Sequence, residues 1–140
     1  GTQIFYTAHG PFDTHFNQPP MHARLWTEVS RAISDFFDDL REHDAADNLV
    51  MMIFTEFGRR VRDNGTGTDH GAGGGAFIIG DNVKGGMYGT YPSLKPEDLN
   101  QGDLDPNYDF RGFYSSVIDQ WLGLDPVPIV GGQFEQVQFV

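Results

Sequence analysis

The sequence has no cysteine, which rules out disulfides, cysteine-ligated zinc and thiol catalysis. It is poor in positive charge: 9 Lys+Arg stand against 20 Asp+Glu, a formal net charge of −11. A phosphate backbone repels such a chain, which argues against a nucleic-acid partner. No apolar run approaches the roughly 20 residues that a helical membrane span needs. No signal peptide is visible. The strand-like "QIFYTA" follows almost directly on Gly1, so the expectation is that something upstream was removed or is absent.

What is present is enough for one core. The 140 residues are 39% hydrophobic and 14% aromatic, and the expectation is a single domain, a partial one, over 1–140. Residues 4–8 read as a short aromatic strand that ends at His9-Gly10-Pro11. After Pro19-Pro20, the apolar positions Leu25, Val29, Ile33, Phe36, Phe37 and Leu40 recur at helical spacing, which predicts an amphipathic helix over 21–43. Leu49 to Thr55 is a continuous apolar run, as in a parallel strand covered on both faces. A basic turn, "RRVRDNG", and a glycine-rich loop, "GTGTDHGAGGG", lead to a short strand at 76–80. A second amphipathic helix starts after Asp109, its expected N-cap, and stops at Gly123. The tail carries a candidate edge strand. Strand, helix and buried strand form a βαβ unit, so the predicted class is α/β, with a mostly parallel sheet and helices on its faces.

That class makes a geometric prediction, because functional groups in open α/β sheets gather beyond the carboxyl ends of the strands. Asp13 and His15 follow the first strand, and Glu56 and Arg59 follow the second. Asp69 and His70 lie in the glycine-rich loop and can fold back over the same rim. Imidazole nitrogen with carboxylate oxygen suits zinc, manganese or iron. Asp13 and His15, two residues apart, share one side of an extended segment. The bland alternative is an Asx-turn at Asp13, a surface histidine at 15 and a flexible glycine linker.

Other chemistries are poorly supported. The glycine loop lacks the Gly-Lys-Ser/Thr ending of a nucleotide P-loop. "DLDPNYD" alternates acidic and amide residues like a calcium loop, but Tyr108 and Tyr114 occupy its sixth and twelfth positions. No Gly-x-Ser-x-Gly elbow is present.

The segments "GPFDTHFNQ", "VMMIFTEFGRRVRDNGTGTDHGAGGGAFIIGDNVKGGMYGTYPSL" and "GDLDPNYDFRGFYSSVIDQWLGLDP" occur in an order that resembles the C-terminal part of a bacterial family catalogued as domain of unknown function 1501. The resemblance extends to the alkaline phosphatase and sulfatase superfamily. It implies the C-terminal portion of an α/β/α sandwich in an exported protein. It implies a metal-dependent phosphate or sulfate ester hydrolase, or alternatively a non-catalytic binding or assembly module that retains the fold. Asp13 resembles the aspartate of the superfamily's first metal site. Its histidine partner is left between His15 and Asn17 as the candidate position, and His70 resembles the late histidine. Glu56 stands where the second site has an aspartate, and Phe57 where that site has a histidine. Asp69-His70 is an alternative register for the same pair. On this reading the metal ligands are Asp13, His15, Asp69 and His70, with zinc or manganese as the ion. Glu56 is a ligand or base, and Arg59 or Lys84 binds an anionic ester substrate. The superfamily's nucleophile comes from an N-terminal half, so the resemblance implies a complementary N-terminal segment or chain.

Overall fold

The computed structural model describes residues 2–140. The long helix α1 covers Gln18–Glu42, with Leu25 and Phe37 buried along one stripe. Burying each of these side chains contributes roughly 1.5–3 kcal/mol. Phe36, one position off the stripe, is exposed. The helix starts earlier than its apolar periodicity because Pro19 and Pro20 sit in the first turn, where a missing N–H has no helical partner to lose. Arg41 ties the other end to the chain beyond β4 by a forked pair to Asp81, at 2.7 and 3.1 Å.

Four short strands follow: β1 (Met51–Ile53), β2 (Gly58–Asp63), β3 (Thr68–Gly71) and β4 (Phe77–Ile79). β1 pairs antiparallel with β4, Met51 opposite Ile79, and β2 pairs antiparallel with β3, Arg59 opposite His70. The expected mostly parallel sheet with helices on its faces is therefore overturned, and with it the alkaline-phosphatase-like sandwich: the described residues hold two separate two-stranded antiparallel sheets. A βαβ unit needs a strand before α1 that pairs parallel to β1. Residues 4–8 carry the composition of one, but Ile4, Phe5 and Tyr6 are at least 72% exposed and pair with no strand among the described residues. The apolar run at 49–55 found its partner through the later hairpin-like return of β4, and its strand residues are only half-buried.

The stretch read as a basic turn is mostly β2, and Asp69 and His70 belong to β3 rather than to a loop. Asn64 and Gly65 supply the turn between them, Gly65 at φ +106°. The glycines beyond this turn permit close backbone approach. A Cβ on Gly58 would overlap the Gly73 carbonyl, and one on Gly67 would lie 2.9 Å from the His15 carbonyl oxygen.

Helix α2 (Phe110–Gln120) starts where Asp109 accepts the Arg111 N–H. A short α3 (Val127–Val130) follows, and the tail then runs back along α2 in place of the expected edge strand. Ser116 Oγ accepts the Val137 N–H at 2.9 Å, and Gln120 binds both the Val137 carbonyl and the Phe139 N–H. Phe139 is 1% exposed, and its carbonyl receives the Lys84 N–H.

The accessible surface is 9958 Å². A folded monomer of 15.6 kDa exposes about 7,300 Å², so the chain shows about 2,700 Å² more. The exposed side chains include large apolar ones, with Phe5, Tyr6, Phe16, Met87 and Tyr91 each at least 70% exposed.

Candidate metal centre

The segment before α1 reaches the β2–β3 hairpin through Thr14. Extended backbone turns alternate side chains to opposite sides. Thr14 is buried at 3% exposure, while Asp13 and His15 face out. Gln18 Nε2 donates to the Thr14 carbonyl and hydroxyl at 3.1 Å each, and its Oε1 accepts from Thr68 Oγ1 of β3. Helix start, hairpin and entering segment are thus knotted together beneath the surface.

Above this knot, three side chains converge. Asp13 Oδ1 accepts from His70 Nε2 at 2.7 Å and lies 2.9 Å from His15 Nε2. The two imidazole centroids are 4.7 Å apart. One ligand atom from each of Asp13, His15 and His70 lies within 4.8 Å of the other two. The side chains remain open to solvent, the imidazoles at 43% and Asp13 at 60%. The His70 hydrogen bond holds the Asp13 carboxyl below its ordinary range, with the charges of both imidazoles adding to the effect.

Asp69 takes a different position. Its Oδ1 lies 3.3 Å from Nδ1 of His15, behind the ring edge that faces Asp13. Asn64 Nδ2 donates to the same oxygen at 3.1 Å and to the His15 carbonyl at 3.0 Å. The Asn64 and His15 hydrogen bonds keep the Asp69 carboxyl below its ordinary range. Asp69 is therefore placed to orient His15, leaving Nε2 for the shared point.

The other sequence candidates lie outside this convergence. Glu56 sits exposed before β2, next to Phe57. Asn17 is the residue before α1, in left-handed conformation, and makes no side-chain cap. Lys84 Nζ donates to the Val140 carbonyl. Arg59 is half-buried and turned inward on backbone carbonyls. Sequence reasoning passed over Asn64, Thr14 and the stacking role of Phe57, whose ring lies 3.9 Å from that of His70 at 12°. The Asn-Gly pair at 64–65 was a readable hairpin signal. The other two carry no local signature.

The donor set fits a divalent ion. Two imidazole nitrogens and one carboxylate oxygen are the donor types found in three-ligand catalytic zinc sites. The exposed rim of this cluster keeps it accessible.

Comparison with known proteins gives the class. Residues 1–126 match the model of the family described as "Protein of unknown function (DUF1501)", and the chain belongs to that family. No curated protein and no solved structure matches it.

Proposed function

We propose that the chain carries the metal-binding part of an exported metal-dependent hydrolase of phosphate or sulfate esters, with Asp13, His15 and His70 holding one zinc or manganese ion. The observation that carries this reading is the convergence of three ligand atoms from segments 57 residues apart in sequence. A divalent ion held there supplies Lewis-acid polarisation of an ester oxygen and helps to activate a nucleophile. Asp69, hydrogen-bonded to Nδ1 of His15, fixes the tautomer that presents Nε2. Only the sequence resemblance assigns Glu56 the role of base; its exposed side chain is not part of the three-residue cluster. The resemblance of the sequence segments, without support from the fold, is the ground for the ester substrate class, a nucleophile supplied by a complementary N-terminal segment, and export.

The experiment is zinc and manganese titration of the purified protein by calorimetry, with a panel of phosphate and sulfate esters assayed alongside. The expected result is one ion per chain, lost in Asp13→Ala and His70→Ala together with any ester turnover. Absence of both binding and turnover overturns the reading.

A second reading is a binding or assembly module without chemistry. Its support is the excess surface of about 2,700 Å²; covered by an equal area on a partner it amounts to about 5,400 Å² in all, at the upper end of permanent interfaces. The occupant it implies is a complementary polypeptide segment bearing strands, because among the described residues β1 and β4 each have one neighbour only. Sedimentation across concentrations checks this: a self-associating chain contradicts that occupant in favour of a second copy.

A further inference from the structure

We propose that Arg59 and Phe57 are positioning residues for this site: the guanidinium clamps the segment bearing Asp13 and His15 to the strand bearing His70, and the Phe57 ring sets the plane of the His70 imidazole. As a statement about metal binding, the proposal rests on the metal reading above. As a statement about the placement of the two imidazoles, it does not.

Arg59 Nη1 donates to the Thr14 carbonyl at 2.6 Å and to the Thr68 carbonyl at 2.7 Å. Nη2 donates to the Phe12 carbonyl at 2.9 Å and reaches Thr14 Oγ1 at 3.4 Å. Phe12 and Thr14 bracket Asp13, and Thr14 also precedes His15. Thr68 lies two residues before His70 on the same strand. One planar cation therefore spans the two segments that must meet for the three ligand atoms to converge. These contacts leave at most Nε for any other partner, so the side chain is spent on the scaffold rather than offered to a substrate anion.

The register explains why Phe57 joins the clamp. Residues two apart share a face of a strand, and residues directly opposite in an antiparallel pair share that face too. Phe57 precedes Arg59 by two, and Arg59 is opposite His70. The guanidinium carbon lies 5.0 Å from the Phe57 centroid, and Phe57 stacks nearly parallel on His70. A lysine at 59 keeps the charge but not the rigid fork that reaches three carbonyls. A leucine at 57 keeps apolar bulk but not the flat surface.

The test uses three variants, Arg59→Lys, Arg59→Ala and Phe57→Leu, with two readouts. The first is the imidazole nitrogen resonances of His15 and His70 in the metal-free chain. The second is zinc affinity by calorimetry with zinc chloride. Arg59→Lys is expected to weaken zinc binding about 10- to 100-fold, as loss of outer support does at metal sites, while helix content is retained. Both imidazole signals are expected to move. Millimolar guanidinium ion is expected to restore part of the affinity in Arg59→Ala, an effect that a general loss of packing does not give. Phe57→Leu is expected to shift His70 more than His15. Wild-type affinity and unmoved imidazole signals in all three variants overturn the proposal. If the unmodified chain takes up no zinc, the metal reading fails separately. The metal-free resonances then decide the clamp: shifts support it, and their absence overturns it. If Arg59→Ala does not fold, the other two variants decide.

Discussion

Two regions of this chain treat polar groups in opposite ways. Along α2, the hydroxyls of Ser115 and Ser116 are buried at 1% and 0% exposure, and both donate back to helix carbonyls. The tail closes over them, and Gly112 is bare because a Cβ would overlap the Glu135 carbonyl. At the β2–β3 hairpin, the inward polar groups lie one layer down, in buried Thr14 and half-buried Gln18 and Arg59, while Asp13, His15 and His70 stay at the surface. The first arrangement turns polar groups inward to fasten a strap. The second uses inward polar groups to hold outward ones in a fixed cluster. The difference separates a region whose polar groups are closed off by the tail from one whose polar groups stay open to solvent.

The sharpest way to break the comparison is Phe139→Ala. It should cost about 3–5 kcal/mol, seen as a lower thermal midpoint, because an almost fully buried ring is removed. Zinc affinity should change little once the variant is kept below its transition; a parallel loss of affinity shows that the two regions are one unit. Gly112→Ala should follow, at about 1–3 kcal/mol, since the added methyl must displace the tail. Chemical denaturation measures it, and an unchanged midpoint refutes the strap. Ser116→Ala leaves the Val137 N–H without its acceptor, for about 1–3 kcal/mol. Faster amide exchange at Val137 is the specific sign.

The converse variant is Gly67→Ala on the hairpin side. The new Cβ would press on the His15 carbonyl 2.9 Å away, so zinc affinity should fall while the thermal midpoint moves less than in Phe139→Ala. The reverse order contradicts the division. The smallest effect is at the α2 cap. Hydrogen bonds from the Arg111 side chain and backbone N–H hold Asp109 at about 2, below the ordinary 3.8. A folded-state value below the unfolded one gives stabilisation that is present above about pH 4 and is lost as pH falls through about 2. Asp109→Ala should therefore flatten the acid limb of the ellipticity at 222 nm between those values.

How far the sequence could be read follows from the range of the contacts involved. The helices were legible because their signals are local. Leu25, Val29, Ile33 and Phe37 repeat every four residues, and Asp109 caps the helix that follows it. The strands were half legible. Residues 51–53 and 77–79 were identified as strand-forming, but a run of apolar residues does not say which strand it will pair with, or in which direction. The β2–β3 hairpin was missed because Arg59, Arg60 and Arg62 hide the alternation that marks a strand. At the candidate site, the residue types suggested Asp13, His15, Asp69 and His70, but the rim offered as the reason for their meeting does not exist.

By itself, the amino-acid sequence determined the absence of thiol chemistry, the acidic charge, both long helices, the family and the kinds of donor atom available. Those are properties of composition or of neighbours within about one helical turn. Only the tertiary structure decided that β1 pairs antiparallel with β4, that Asp69 backs His15 rather than joining the cluster, and that Arg59 binds carbonyls of the scaffold. These outcomes depend on groups 24 to 54 residues apart along the chain. Backbone pairing and the satisfaction of buried donors select them once the segments meet, and no local pattern encodes which partners those will be.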